Sequence, residues 1–457
     1  MRHLVACVAI AALLLATSGS ATANPYAPFA APLDFRLANG LRIVAQRDAR
    51  QPLVAFLISY GVGWRDDPPG YEGLAHLVEH MTYGGSRHLA RYQMARELEH
   101  AGALRWNGAT GPDRTNYFCL LSAPQLALPF WLESERMGFT LERFDAANLA
   151  HEKKILAKEA LERAPTRVEL ELVRALFPGN HPYRGIYGSD ASRVPLHGAQ
   201  WFFQRAYRPD NATIVVVGDF DGRTLETLAD RYFGPIPNPP GVLRRKPPEP
   251  REFESRERVV VTEHRIPQPV LHMVWPAPSA GSPETETFWV LLTLMQTRSA
   301  ASINAAVHDA HVTESVRVMF EQLDGGGYLL LEIPLTAENR PEAVEYAVDG
   351  HFFHLRNALV AEAEVRLARD HVRMTALSEL EDPLDHALQH LESLRASGHP
   401  FRAGDRFARI DAVTPASIRE LARKYLYPTK RLAAWHRWPA DGEEIPMSGT
   451  VTYDDGK

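Results

Sequence analysis

The sequence predicts an α+β protein made of two similar α/β-sandwich halves. Each half is expected to be a mainly antiparallel sheet with helices packed on it, and a proline-rich linker joins the two in a clamshell-like arrangement. Three observations lead there. Strand and helix patterns mix across the first half. Seven prolines then fall between Pro235 and Pro250, with three basic residues and little apolar content, which suits an extended linker rather than a core element. After that stretch the same mixture of patterns restarts. For 457 residues, two halves of roughly 200 residues are ordinary domain sizes. The expected partition is 1–23 as a signal peptide, 24–236 as the N-terminal domain, 237–255 as linker, 256–440 as a homologous C-terminal domain and 441–457 as a tail.

The elements follow in order. Asn39-Gly40 is a turn signal, and Leu41 to Ala45 alternates as a strand after it. Val54 to Ser59 is a second strand, closed by Gly61 and Gly63. Helices are expected over Gly73–Tyr83 and Gln93–Ala101, the second ended by Gly102. Asn116 to Ser122 reads as a strand, and Pro129–Phe139 and Ala146–Arg163 read as helices. Thr213 to Gly218 is a continuous apolar run, hence a buried strand. Beyond the linker, Arg258–Glu263 and Val270–Trp275 are strands and Glu284–Val307 is a long helical stretch. Val316–Leu323 and Tyr328–Ile333 flank Asp324-Gly325-Gly326-Gly327, a hairpin signal. Ala361 to Glu379 is a helix of mixed charge.

Composition narrows the function. The chain is 45% hydrophobic and 23% charged, which argues against extensive disorder. Fifty Lys and Arg against 56 Asp and Glu leave a net charge of −6, so the basic excess of a nucleic-acid binder is missing. Two cysteines are too few for a disulfide framework. Cys119, inside Tyr117-Phe118-Cys119-Leu120-Leu121, reads as a small buried apolar residue rather than a nucleophile. At the N-terminus, Leu4 to Ala16 is apolar but shorter than the ~20 residues of a membrane span. Ala21-Thr22-Ala23 follows as a cleavage pattern before Asn24. An exported protein, periplasmic or secreted and without stable membrane insertion, is therefore expected.

The informative segment is Gly73-Leu74-Ala75-His76-Leu77-Val78-Glu79-His80-Met81. On a helix His80 lies about 40° round from His76, and Glu79 about 60° to the other side. All three project from one face. Two imidazoles one turn apart suit zinc, and a neighbouring carboxylate can take a proton from zinc-bound water. Four-coordinate zinc needs a third protein ligand and an open position. The candidates are Glu152 and Glu159 in His151-Glu152-Lys153-Lys154-Ile155-Leu156-Ala157-Lys158-Glu159. They lie about 20° apart on a helix, so one can bind the metal while the other supports a ligand histidine.

The H-x-x-E-H order is that of the inverzincins, and its surroundings resemble the pitrilysin, insulinase and mitochondrial-processing-peptidase family. Trp64-Arg65-Asp66-Asp67-Pro68-Pro69-Gly70 is similar to that family's approach to the motif, and Met81 to Ser86 to its exit. Leu98-Glu99-His100-Ala101-Gly102 followed by Trp106-Asn107-Gly108-Ala109-Thr110 looks like its small-residue edge strand. Asp113-Arg114-Thr115-Asn116-Tyr117, Glu135-Arg136-Met137, His181-Pro182-Tyr183 and Tyr207-Arg208-Pro209-Asp210-Asn211-Ala212 extend the similarity. It covers about residues 33–235 well and 256–435 more weakly. The resemblance implies one Zn²⁺ per chain held by His76, His80 and Glu152, with Glu79 as general base and Glu159 supporting a ligand from behind. It also implies a peptide substrate added as a strand to Trp106–Thr110, with Asn107 and Ala109 as binding residues.

The family's second half usually carries an arginine and, seven residues on, a tyrosine that bind the substrate carbonyl. Here His308 and Ser315 align with them, and neither can do the same work. Arg317 and Tyr328 lie nearby as substitutes. A partner is therefore expected: a homo- or hetero-oligomer with a similar chain lacking the metal motif, which supplies the missing groups. His386 and His390 are one turn apart without an intervening carboxylate in Glu79's place, and read as an ordinary helix face. Arg244-Arg245-Lys246 reads as a solvated charge run. The expected function is an exported zinc metalloendopeptidase hydrolysing peptides or unfolded segments. The alternative is a catalytically incomplete peptide-binding or scaffold subunit of a peptidase complex.

Overall fold

The computed structural model describes residues 31–162, 167–177, 179–185, 191–241, 257–297, 301–309, 316–336 and 340–454. Two six-stranded sheets organise them. The first comprises β1 (Leu33–Arg36), β2 (Arg42–Arg47), β3 (Leu53–Tyr60), β4 (Arg105–Thr110), β5 (Thr115–Ser122) and β6 (Ala212–Gly218), in the order β1-β2-β6-β3-β5-β4. The second comprises β7 (Glu257–Thr262), β8 (Val270–Ala277), β9 (Arg317–Leu323), β10 (Gly326–Pro334), β11 (Leu432–Arg437) and β12 (Thr450–Asp454), in the order β12-β7-β11-β8-β10-β9. In each sheet one pair is parallel, β2 with β6 and β7 with β11, and the rest are antiparallel. Five strands match in order, and the sixth comes from the start of the first half (β1) but the end of the second (β12), so the expected pair of similar, mainly antiparallel halves is the architecture. β4 and β9 occupy equivalent edges.

The second sheet is completed by its last strand. β12 pairs with β7 from Thr450↔Thr262 to Asp454↔Arg258. The segment expected as a tail from residue 441 therefore supplies an edge strand. The long helical stretch expected over 284–307 is two helices, Thr285–Gln296 and Ile303–Asp309. The expected signal peptide at 1–23 lies outside the described residues, as does most of the linker. No helix among the described residues is long and apolar enough to cross a membrane.

The central strands explain how the halves meet. β3 (LVAFLISY) and β6 (ATIVVVG) are apolar on both faces rather than alternating. A strand of that kind needs cover on both sides. One face packs on its own half's helices, with Val54, Phe56, Ile58, Ile214 and Val216 against Leu74, Leu77, Val78 and Phe130. The other face is covered from the second half. Ala55, Leu57, Leu120, Val215 and Val217 pack on Leu384, Ala387 and Leu391 of the helix Pro383–Ser397. The exchange is reciprocal. The helix Arg167–Leu176 of the first half lays Val168, Leu172, Val173 and Leu176 on Val259, Val261, Val274, Leu330, Leu432 and Ala434 of the second sheet. Each half lends the other a helix.

Leu391→Ala is expected to cost about 2–5 kcal/mol of unfolding free energy, read from urea midpoints; a loss below 1 kcal/mol would show that the exchanged helix is not a core element. The same helix carries His386 and His390, with buried, stacked rings 5.1 Å apart. Phe401 N–H donates to His390 Nδ1 at 3.2 Å. Burial pushes His386 down to about 4 and His390 to about 3, and His272 and His351 elsewhere down to about 4. These imidazoles are neutral in both states above about pH 6.5. Below it the unfolded chain takes up protons that the folded chain refuses, until the pH reaches the folded values. These four imidazoles should therefore lower stability as pH drops from about 6.5 to 4, against the opposite contribution of Asp67, whose raised value favours the folded state in that window. His390→Asn, which keeps an acceptor for Phe401, should make that fall shallower in urea titrations across the window, and an unchanged slope would remove His390 from the account.

Candidate active site

The helix Leu74–Met81 is rigid because its sequence leaves it little else to be. Leu74, Ala75, Leu77, Val78 and Met81 are almost wholly buried in the first core. Its entry is set by Gly73 at φ 90°, a left-handed conformation that glycine adopts without a Cβ clash. The Asp67 carboxylate accepts from Gly73 N and Ala75 N, both at 2.7 Å, and so satisfies donors the helix start leaves over. Burial pushes that carboxyl up to about 8 against these two bonds. Asp66 does the same for the preceding turn, accepting from Gly63 N at 2.8 Å.

The helix presents His76, Glu79 and His80 as its periodicity predicts. The two imidazoles meet edge to face, with their Nε2 atoms 3.2 Å apart. The helix Ala146–Glu162 brings Glu159, whose Oε2 stands 3.8 Å from His76 Nε2 and 3.5 Å from His80 Nε2. These three are the one group of His, Cys, Asp or Glu among the described residues that could hold a metal ion. Tetrahedral zinc ligands at about 2.0–2.2 Å stand roughly 3.3–3.6 Å apart. The triad therefore fits the donor set and spacing of zinc.

Here the geometry departs from the expected division between the two glutamates. Glu159, not Glu152, faces the pair of Nε2 atoms. Glu152 is 1% exposed, and its Oε2 lies 3.7 Å from the other nitrogen of His80, Nδ1. Its Oε1 accepts from Arg91 Nη1 and Tyr92 Oη, each at 3.3 Å. The reason is axial. Seven residues place Glu152 and Glu159 on one helix face but about 10 Å apart at the backbone, and each carboxylate reaches a different nitrogen of His80. Angular spacing alone does not say which reaches the histidines. Burial opposes a charged His80, and the Glu152, Glu79 and Glu159 carboxylates more than reverse this, raising its affinity for a proton.

Glu79 is 5% exposed. Its Oε2 accepts from Thr110 Oγ1 at 2.6 Å. Burial pushes its carboxyl above the usual range, opposed by Thr110, His80 and the buried Arg136. Arg136 underlies the site, pairing with Glu133 at 2.8 Å, donating to Thr82 Oγ1 and lying 3.8 Å from the Tyr117 ring centre. The other Glu79 oxygen faces β4. A Cβ added at Gly108 would come within 2.7 Å of both Glu79 Oε1 and Tyr83 Oη. Only glycine lets the edge strand pass so close to this carboxylate.

Trp106, Gly108 and Thr110 turn inward on β4, while Asn107 and Ala109 are exposed on the edge strand. Asn107 Oδ1 accepts from Gly108 N at 3.0 Å. Thr110, Asp67 and Tyr92 are participants that motif reasoning missed. Thr110 was within reach, since the alternation that aims Gly108 inward aims Thr110 the same way. Tyr92 was not. It is the one described non-glycine residue at positive φ, 57°, a strained conformation that sends its hydroxyl to Glu152 and His151.

The second-half expectations fare differently. His308 sits exposed on Ile303–Asp309, and Ser315 lies outside the described residues. Tyr328 is buried in the core around the exchanged helix Arg167–Leu176, and Arg317 is exposed, 3.7 Å from Glu332. Cys119 is buried, and burial pushes its thiol well up, as expected of an inert residue.

Residues 42–184 match the family model described as Insulinase (Peptidase family M16), and residues 200–371 the one described as Peptidase M16 inactive domain. The chain is 26% identical over 322 residues to coenzyme PQQ synthesis protein F of Pseudomonas syringae pv. tomato, covering 67% of this chain and 39% of that protein. It is 22% identical over 415 residues to the mitochondrial-processing peptidase subunit beta of Blastocladiella emersonii, covering 86% and 85%. The crystal structure of a protease from Helicobacter pylori shares the fold, with a TM-score of 0.80 at 18% identity over 89% of this chain and 99% of that one. The matched stretch is thus well under two thirds of the length of some relatives and most of others. With both halves matched in order and the H-x-x-E-H helix in the first, the chain belongs to the insulinase family of peptidases, M16.

Proposed function

We propose that this chain is an exported zinc metalloendopeptidase acting on peptides or unfolded segments. The observation that carries the reading is the pairing of a His76–His80–Glu159 triad with a buried carboxylate, Glu79, that abuts an edge strand at a glycine. Export rests on the N-terminal sequence pattern alone. Residues His76, His80 and Glu159 would hold the ion, and Glu152 would fix the His80 ring through Nδ1. Zinc, when bound, supplies an acidified water and a Lewis acid for the scissile carbonyl.

The chain's own groups do the rest. Glu79 takes the proton of the attacking water and passes it to the leaving amine. A carboxyl whose proton affinity is raised by burial suits both steps. Thr110 holds Oε2, which leaves Oε1 turned towards the strand. A substrate segment added to β4 would gain backbone hydrogen bonds along the edge, with Asn107 and Ala109 in contact with it, and would pass the base at Gly108. An extended segment with its backbone groups unpaired is available in an unfolded chain, whereas a folded protein has paired or covered most of its own.

A partner chain of similar build, homologous but without the metal motif, would complete the site where His308 and Ser315 stand in for arginine and tyrosine. The Blastocladiella protein that the chain resembles is named as one subunit of a peptidase, which supports that reading.

Glu79→Gln should keep zinc and lose about 10²–10⁴-fold in turnover of quenched peptides; retained turnover would exclude Glu79 as the base. In metal analysis, Glu159→Ala should abolish stoichiometric zinc, whereas Glu152→Ala should weaken zinc affinity about 10–100-fold. The reverse order of losses would give the ligand role to Glu152. Zinc without turnover in the parent chain, restored by a second chain, would establish the half-enzyme form.

A further inference from the structure

The turn joining β4 to β5 is where the two halves are locked together, and it begins one residue after the hydroxyl that holds Glu79. Gly111 N donates to Arg114 O at 2.8 Å, closing the turn. Trp64 N and Arg65 N donate to Gly111 O and Pro112 O, tying the turn to the segment that leads into the metal helix. At the tip stands Asp113, 4% exposed. Its Oδ1 accepts from Tyr183 Oη at 2.7 Å and pairs with Arg65 Nη1 at 2.8 Å. Its Oδ2 accepts from Asp324 N, in the second half, at 3.1 Å. Gly325 N donates to Tyr183 Oη at 3.1 Å, and Asp324 Oδ2 lies 3.2 Å from Arg65 Nη2. From the second half, Arg395 reaches Asp324 Oδ1 at 3.0 Å.

The β9–β10 hairpin of the second half thus seats on a buried carboxylate of the first. A buried carboxylate is strongly unfavourable when left without the donors that pair it, so the turn has one stable position while the hairpin is docked. Three residues upstream of Asp113 is Thr110, and Thr110 is the donor to Glu79.

We propose that Asp113 and Tyr183 are positioning residues through which the docked second half sets the orientation of Glu79. The hairpin holds Asp113, Asp113 holds the turn, the turn holds Thr110, and Thr110 holds the carboxylate. Neither residue touches substrate or metal. This rests on the proposed role of Glu79 and goes beyond it, because it makes the second half part of the base's alignment.

The test uses the full chain with Asp113→Asn, Tyr183→Phe, Thr110→Val and the double variant Asp113→Asn/Thr110→Val. Val348→Ala, in the second half's own core, serves as a control that lowers stability away from the contact between halves. Hydrogen exchange needs no activity. Fragments covering residues 105–118 should exchange about 10-fold faster in Asp113→Asn and Tyr183→Phe than in the parent chain, and not in Val348→Ala. Zinc content should stay at parental levels. On peptide substrates, the two variants should lower kcat about 10–100-fold with KM unchanged, the scale of a misplaced catalytic group. The double variant should be no slower than Thr110→Val, because one route carries both effects. Parental exchange over 105–118 would overturn the proposal, as would multiplicative losses in the double variant. If the parent chain cleaves nothing and no second chain restores turnover, the reading of Glu79 fails by itself, and the exchange data still decide whether the clasp holds the edge strand.

Discussion

Everything in this molecule depends on the need to cover both faces of two apolar sheets. β3 and β6 carry no polar face to give to water. Uncovered, Leu57, Val215 and Val217 would form an exposed apolar patch of the kind that drives association. The chain resolves this by exchange. The helix Pro383–Ser397 crosses to the first sheet and Arg167–Leu176 crosses to the second. Neither half is then a self-sufficient unit, although each has its own sheet and its own inner core. The resulting fixed relation between the halves lets a hairpin of one reach the β4–β5 turn of the other.

The site itself is an economy of rigid parts. An eight-residue helix would be marginal alone. It is held by apolar burial on one side, by Asp67 at its start and by the Arg136–Tyr117 stack beneath. The polar residues it carries are constrained in turn. His80 has the triad on one nitrogen and Glu152 on the other, while Glu79 has Thr110 on one oxygen and the Gly108 backbone against the other. Polar groups buried this deeply are costly unless partnered, and here the helix Ala146–Glu162 partners the imidazoles and β4 partners Glu79. Two segments distant in sequence from the metal helix converge on one carboxylate and two imidazoles.

Much of this was legible in the residues. Strand and helix positions from Leu41 to Ser122 follow from alternation and turn signals, and the restart after the proline-rich stretch announced the second half. His76, Glu79 and His80 share a face because helical periodicity admits no other arrangement. The Asp324–Gly327 turn was readable from its glycines. What it docks against was not, since nothing local in Asp113 or Tyr183 marks them as partners of a hairpin more than 140 residues away.

The sequence by itself determined the elements, the two-half plan and the residue types of the metal motif, because these depend on spacing within a few turns or one strand. Tertiary structure decided the rest. It chose Glu159 over Glu152 at the Nε2 pair, because reach along a helix axis depends on where the neighbouring helix crosses it. It committed Tyr328 to packing, because the exchanged helix lands there. It also turned residues 450–454 into an edge strand, because β7 offered an unpaired side. Each of these is a matter of which distant segment arrives at a given surface, and local pattern holds no record of that.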